Sequence, residues 1–187
     1  SKCLEALIEW LNTSKHIVGY NVKFDLRFLE KEGLNIKDKE LLDVIVMVRL
    51  TEPSTIKDLD LTSTIKRSYG ERHAEYDIET KKILRANKWN KDFSLAPVDV
   101  LGPYCEKDVM YTSKLFNDRL KKIKKSNQQN ILKVQMELTK VLYEMEGRGI
   151  SIDNKYIKNI INIIEYRKKE IETRVLKLAG DFELSSG

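Results

Sequence analysis

Cysteine and long apolar runs are both scarce in this 187-residue chain. The two cysteines, Cys3 and Cys105, lie far apart and lack the close spacing of a metal site, so we expect free thiols in a reducing cytoplasm. No apolar run approaches the roughly 20 residues that a membrane-spanning helix needs. The chain also contains no internal repeat and no low-complexity segment. These absences favour an ordinary soluble globular chain.

A strong excess of one charge sign is missing as well. The chain has 34 Lys and Arg against 29 Asp and Glu, which leaves a net charge of +5 although the charged fraction is 34%. Such a balance permits contact with a polyanion without requiring it. The apolar fraction of 41% is sufficient for the core of one domain, or of a compact domain with an appendage.

Apolar spacing and turn residues predict mostly helix in the first half of the chain, with one strand. The stretch "HIVGYN" from His16 indicates a short buried strand that ends in a glycine turn. Asp43 is expected to cap a short apolar helix that ends before Pro53. The other predicted helices cover residues 3–12, run from Phe24 to a stop at Gly33, and run from Ile56 to a stop at Gly70. Because a lone strand does not form a stable sheet, its partners are either unrecognised in this sequence or upstream of it, and we expect them upstream.

Longer helices are predicted in the second half. They cover "YDIETKKILRAN" at residues 76–87, Tyr104 to Lys125, Ser126 to Glu146, and a stretch from a cap at Asp153 or Asn154 to Leu178. Since the chain after about residue 126 is all long helix, we predict a domain boundary there. The predicted fold class is α/β over residues 1–126, followed by a helical arm over residues 127–187.

Two carboxylates occupy positions at which such folds form clefts. Asp25 follows the predicted strand and its glycine turn and opens a helix, which exposes a carboxylate at the end of a sheet. Tyr104 and Asp108 are four residues apart on a predicted helix and therefore share a face. If Asp25 and Asp108 converge on one cleft, their oxygens suit Mg²⁺ or Mn²⁺. Two such ions can clamp the attacking and leaving oxygens of a phosphodiester.

Each of these residues also has an ordinary structural role. An Asp near a helix start is commonly a cap or a first-turn charge, which applies to Asp25. Asp108 taken alone is unremarkable on a polar helix face, and Tyr104 beside Pro103 suits a packing aromatic. Composition and spacing alone lead no further than an α/β domain with a helical arm.

The segments "VGYNVKFDLRFL" and "YCEKDVMYTSKLF" each contain one of these carboxylates. They resemble the second exonuclease motif and the third, the Tyr-x-x-x-Asp motif, of family A, polymerase I-like DNA polymerases of bacterial or phage type. "LLDVIVMVRLTEPSTIKDLDLTSTIKRSYG" is similar to the helices between these motifs, and "AEYD" recurs in phage-like members. "ELTKVLYEMEGRGISID" resembles the junction into the polymerase domain, and "LAGDFELSS" the end of the first thumb helix. The resemblance covers nearly the whole chain, in order.

The resemblance implies a ribonuclease H-like fold, truncated at its N-terminal strands, over 1–126, and a connecting helix and the start of the polymerase thumb over 127–187. It implies proofreading by two-metal hydrolysis at DNA 3′ ends, in a bacterial or phage-infected cytoplasm. Its partners would be a single-stranded 3′ end, a primer-template duplex and the remainder of the polymerase chain. By position, the implied roles are metal ligands Asp25 and Asp108, a water-orienting phenol Tyr104, and substrate-binding residues Asn21, Phe24 and Leu29, of which Leu29 packs behind the site.

The sequence departs from the family at the first exonuclease motif. That motif is a strand with Asp-x-Glu, and only 24 residues precede Asp25 here. "DIET" from Asp77 to Thr80 has the right letters, but it falls between the second and third motifs in a polar, helical segment. We therefore expect Asp77 to cap a solvated helix start. The polymerase palm and fingers motifs are absent too, so we expect a fragment that is inactive alone.

Two alternatives stay open on the sequence. One is a stand-alone exonuclease of the ribonuclease D type, which shares the Tyr-x-x-x-Asp motif, although the "MEGRGISID" junction argues against it. The other is a catalytically inactive DNA-binding or scaffold domain with an exonuclease-like fold. The basic run 119–125 and Lys155, Lys158, Lys168 and Lys169 either contact duplex phosphates or form solvated helix faces.

Overall fold

The computed structural model describes residues 2–180, with the Ala179 side chain left out. The first part consists of α1 (Lys2–Thr13), β1 (His16–Gly19), α2 (Val22–Lys31), β2 (Glu40–Asp43), α3 (Val44–Thr51) and α4 (Leu61–Tyr69). The second part consists of α5 (Glu75–Ala86), α6 (Val98–Lys125), α7 (Gln129–Arg148) and α8 (Asn154–Ala179), with 3-10 turns at Glu71–Ala74, Trp89–Lys91 and Phe93–Leu95. Helix therefore dominates a small parallel sheet.

The sheet contains two parallel strands in the part of the chain that the structure describes. Ile17 of β1 lies opposite Leu41 of β2, and Gly19 lies opposite Asp43. One partner of β1 thus lies within this sequence as the unrecognised strand β2, rather than upstream as expected. The residues of β2 continue directly into α3 with no turn residue between them, so the sequence resembles one apolar helical run. The α/β class holds in this reduced form.

Three predicted helix starts differ from those observed by three residues or more. Helix α4 begins at Leu61 rather than Ile56, because the Asp60 carboxylate accepts a hydrogen bond from Ser63 N at 2.9 Å and caps the helix there. Helix α6 begins at Val98 and contains Pro103, whose fixed φ is compatible with helix. Helix α7 starts at Gln129, after a left-handed residue in the connecting turn. The predicted caps at Asp43 and Asp153 are confirmed.

Buried apolar side chains form three neighbouring clusters. The first surrounds the sheet and α2, and its members are Ile8, Ile17, Val22, Leu26, Leu34, Ile36, Leu41 and Tyr143. The second lies under α3, α4 and α6, and its members are Val44, Val48, Leu59, Ile65, Ala74, Tyr111 and Leu115. The third is Met47, Ile123 and Met136, which joins α3 to α6 and α7. Each fully buried aliphatic side chain contributes about 1.5–3 kcal/mol.

The chain divides into two compact units, one up to Glu146 and one from Gly147 onward. The turn near residue 126 lies inside the first unit. In the second unit, Asp153 caps α8 by accepting hydrogen bonds from Lys155 N and Tyr156 N, and no described side chain of α8 is buried. The assignment of an exonuclease part and a thumb part stays a prediction, and most of "LAGDFELSS" lies outside the described residues. None of the described helices is both long and apolar enough to cross a membrane.

Candidate functional site

The turn between β1 and α2 places Asp25 at the end of the sheet. A Cβ on Gly19 would come within 2.9 Å of Val22 Cγ2, so glycine permits the close approach of strand and helix. Asn21 follows in the left-handed conformation at φ 59°, which asparagine tolerates better than most residues. Helix α2 starts at once, and its first turn carries Asp25.

Asp43 holds this turn from the neighbouring strand. Its carboxylate accepts hydrogen bonds from Asn21 N at 2.8 Å and Val22 N at 3.1 Å, and it also caps α3 by accepting from Ile45 N at 3.1 Å. The side chain is 1% exposed, and this burial raises the pKa of the Asp43 carboxyl although the three N–H donors oppose the shift. The sequence indicated only the cap, since the contact to the Asn21 turn depends on the pairing of β1 with β2.

Asp25 and Asp108 line the same cavity, which runs along β1 and has a volume of about 670 Å³. Its walls come from β1, from the end of α1 at Trp10, and from the α6 face that carries Cys105 and Val109. Burial raises the pKa of Asp25 and also that of Asp108. The two carboxylates that the sequence singled out therefore face one space bounded by an edge of the sheet.

Tyr76 on α5 and Tyr104 on α6 make hydrogen bonds that cross between the two helices. The Tyr76 hydroxyl donates to Asp108 Oδ1 at 2.7 Å, and the Tyr104 hydroxyl donates to Asp77 Oδ1 at 3.3 Å. Burial and the nearby Asp108 and Asp77 carboxylates raise the pKa of the Tyr104 phenol. Tyr104 is not among the residues that line the cavity of Asp25 and Asp108.

The expectation of a solvated Asp77 at a helix start was wrong. Helix α5 begins at Glu75, its cap position is Ala74, and Asp77 is 3% exposed. Asp77 pairs with Lys81 one turn later, at 2.8 Å, and its other oxygen accepts the Tyr104 phenol. The polar residues around Asp77 suggested solvent, but this side chain faces α6. Because "DIET" lies on a helix, it is not the strand of the first motif.

The three residues implied for substrate binding occupy different environments. Asn21 borders a separate cavity of about 320 Å³, which Asp43 and Arg49 also line. Phe24 is 61% exposed, and its ring lies 5.3 Å from that of Phe28 on the same helix. Leu29 is partly buried and packs against the first core cluster.

The predicted basic faces differ in their exposure. Arg119 is buried, and it donates hydrogen bonds to Glu52 at 2.6 Å and to Ser68 at 2.6 Å, so its possible role as a phosphate contact was wrong. The lysines that follow it at 121, 122, 124 and 125 are exposed. In the second unit the four named lysines of α8 are exposed, and Lys168 pairs with Glu172 at 3.8 Å.

The carboxylates that line the cavity are Asp25 and Asp108, and His16 and Cys105 line it as well. Among residues 2–180, no group of three or more His, Cys, Asp and Glu side chains is arranged to hold a metal ion. Mg²⁺ is commonly bound through one or two carboxylates, with waters and substrate phosphate oxygens completing its shell. Asp25 and Asp108 thus fit a site of that open kind, and they do not form a closed metal cage. Both cysteines are free and exposed, as predicted.

Comparison with known proteins identifies DNA polymerases as relatives. DNA polymerase I of Borreliella burgdorferi is 26% identical over 172 residues, which are 91% of this chain and 18% of that protein. DNA polymerase DpoZ of Acinetobacter phage SH-Ab 15497 is 25% identical over 178 residues, or 92% of this chain and 28% of that protein. DNA polymerase I of Synechocystis sp. is 29% identical over 171 residues, or 89% of this chain and 16% of that protein.

These similarities confirm the resemblance to polymerase I-like DNA polymerases. The chain spans only 16 to 28% of the length of these three relatives. No protein-family model matches it, and no solved structure matches it significantly.

Proposed function

We propose that this chain is part of a DNA polymerase and contributes to a 3′–5′ exonuclease site that removes nucleotides from DNA 3′ ends. The observation that carries the proposal is the shared cavity of Asp25 and Asp108 along β1. Similarity to DNA polymerases supports it, since the matches cover 89 to 92% of the sequence.

The proposed fold is a ribonuclease H-like domain that lacks its N-terminal strands here. The parallel pair β1 and β2 supports this assignment, because each strand is followed at once by a helix and Asp25 lies just beyond the carboxyl end of β1. In open α/β sheets, ligands bind outside the carboxyl ends of the strands. The polymerase thumb would then begin in the second unit, whose exposed lysines suit the phosphates of a primer-template duplex.

Asp25 and Asp108 would hold Mg²⁺ or Mn²⁺ in this site. A bound ion would supply positive charge to the oxygens of the scissile phosphodiester. The Tyr104 phenol would hold the attacking water by a hydrogen bond, and exposed Phe24 would stack on a base of the frayed 3′ end. Asn21 would shape the turn that carries Asp25, and Leu29 would support it from the core.

Hydrolysis of a 3′-labelled single-stranded oligonucleotide tests the proposal. We would compare this chain with a longer form of the protein that includes an upstream Asp-x-Glu strand, in Mg²⁺ or Mn²⁺. Asp25→Ala and Asp108→Ala should each abolish hydrolysis by the longer form. Asp99→Ala should not, because Asp99 is an exposed carboxylate in the first turn of the same helix as Asp108.

A second candidate is a DNA-binding domain with an exonuclease-like fold and no catalysis. The open donor set of two carboxylates favours it for the 187-residue chain by itself. Hydrolysis by neither form, together with binding of the oligonucleotide, would support this candidate and overturn the first. Hydrolysis by this chain alone would show that its own carboxylates, including Asp77 and Glu79, need reassessment as ligands.

A further inference from the structure

Asp77 is a buried carboxylate that the proposed mechanism does not use. It belongs to α5, a helix that carries neither of the exonuclease-like motifs, yet its Oδ1 accepts the hydroxyl of Tyr104 on α6. Its neighbour Tyr76 reaches α6 as well and donates to Asp108 Oδ1. The adjacent pair on α5 therefore engages both members of the Tyr-x-x-x-Asp pair on α6.

We propose that Tyr76 and Asp77 are positioning residues for Asp108 and Tyr104. The pairing is reciprocal: on each helix a phenol donates to the carboxylate of the other helix. This inference rests on the proposed function, in which Asp108 and Tyr104 act on the substrate. It adds two residues of α5 to the proposed site residues on α2 and α6.

The chemistry of the pairing gives each group a defined orientation. A phenol carries a single O–H proton, so a Tyr104 hydroxyl that donates to Asp77 can only accept the hydrogen bond of a water molecule. Asp108 receives the Tyr76 proton on one oxygen, which fixes the rotation of the carboxylate group. Without Asp77, the Tyr104 proton would be free to turn to Asp108, four residues away on the same helix face.

Further contacts hold the α5 partners in place. The Tyr76 ring stacks on Tyr111 at 5.7 Å with an interplanar angle of 12°, and it lies 6.0 Å from the Tyr104 ring. Tyr111 in turn shares a hydrogen bond with His73 Nδ1 at 3.0 Å. The Lys81 ammonium compensates the buried charge of Asp77. Both residues are thus fixed before any ligand binds.

The first test follows the phenols directly, without activity. In this chain labelled with ¹³Cζ-tyrosine, Asp77→Asn should shift the NMR resonance that Tyr104→Phe removes, because the charged acceptor is lost. Glu79→Gln is the matched control, since Glu79 is an exposed carboxylate on the same helix, and it should leave that resonance in place. An unchanged Tyr104 resonance in Asp77→Asn would overturn the proposal.

The second test uses DNA hydrolysis by the full-length protein. Asp77→Ala should lower kcat about 10- to 100-fold with little change in KM for DNA, the loss expected when a reacting group is misplaced. The double variant Asp77→Ala, Tyr104→Phe should be no slower than Tyr104→Phe alone, because Asp77 acts through Tyr104. Fully additive losses would overturn the positioning role. A wild-type protein that hydrolyses no DNA would refute the proposed function, whereas the NMR shift would still establish the Asp77 contact.

Discussion

Replacing Asp43 by alanine removes the acceptor of three backbone N–H groups. Asn21 and Val22 supply two of them at the start of α2, and Ile45 supplies the third at the start of α3. Loss of the α3 cap at Ile45 costs about 1 kcal/mol. The buried Val22 N–H is left without a partner, which costs about 1–3 kcal/mol. The Asn21 N–H is only partly buried and adds about 1 kcal/mol. Relief of the buried charge, which raises the pKa of Asp43, offsets part of this sum. We expect a net loss of about 3 kcal/mol in the free energy of unfolding.

Urea unfolding followed by tryptophan fluorescence measures this loss in the first unit, because Trp10 and Trp89 are the tryptophans of the chain and both lie in that unit. Asp60→Ala is the matched control. Asp60 is also an Asp cap, but it is exposed, and it caps through a single backbone N–H. Its removal should cost about 1 kcal/mol. If the two variants lose equal stability, the hydrogen bonds across the sheet carry no extra energy and the reasoning fails.

Three further predictions concern other parts of the chain. Burial raises the pKa of Asp25, so the ionised form is penalised in the folded state. The penalty is absent at pH values below about 3.9, the pKa of Asp in the unfolded chain, and it is complete at pH values above the pKa of Asp25 in the folded chain. Asp25→Asn removes the ionisable group, so it should raise the Tm of the metal-free chain at pH 8 and leave the Tm unchanged in acid. Arg119→Met should cost about 2 kcal/mol in urea unfolding, because Glu52, whose side chain is 10% exposed, loses Arg119 and keeps Arg67, whereas a loss below about 0.5 kcal/mol would contradict this pairing. Asp153→Ala should accelerate amide hydrogen exchange in the first turn of α8, and unchanged exchange there would show that the cap contributes nothing.

Helix positions in the sequence were predicted well where capping and apolar spacing are local properties. The segment 3–12 matches α1 at Lys2–Thr13, and Asp43 caps α3 before Pro53 as expected. Strand β2 was missed because its residues run directly into the apolar helix α3 with no turn residue between them, whereas Gly19 marks the end of β1. The early start of α6 was missed because the helix was predicted to begin at Tyr104, just after Pro103, and a proline inside a helix is locally unfavourable.

The residues of the candidate site also fall into those that the sequence singled out and those that it missed. Asp25, Asp108 and Tyr104 were found from the sequence because a strand-turn-helix pattern and a four-residue spacing are visible in one dimension. Asp77 was placed in solvent, and Tyr76 was not recognised at all. The partners of both lie about 30 residues away on another helix, since the hydrogen bonds join residues separated by 27 and 32 positions.

The sequence by itself therefore determined most helix positions, the caps at Asp43 and Asp153, and the candidates Asp25, Tyr104 and Asp108, because these depend on neighbours within a few residues. Only the tertiary structure decided which carboxylates share a cavity, which charges are buried, and which phenol donates to which acid. Those properties depend on the pairing of β1 with β2 and on the packing of α5 against α6, and residues distant in the sequence contribute to both.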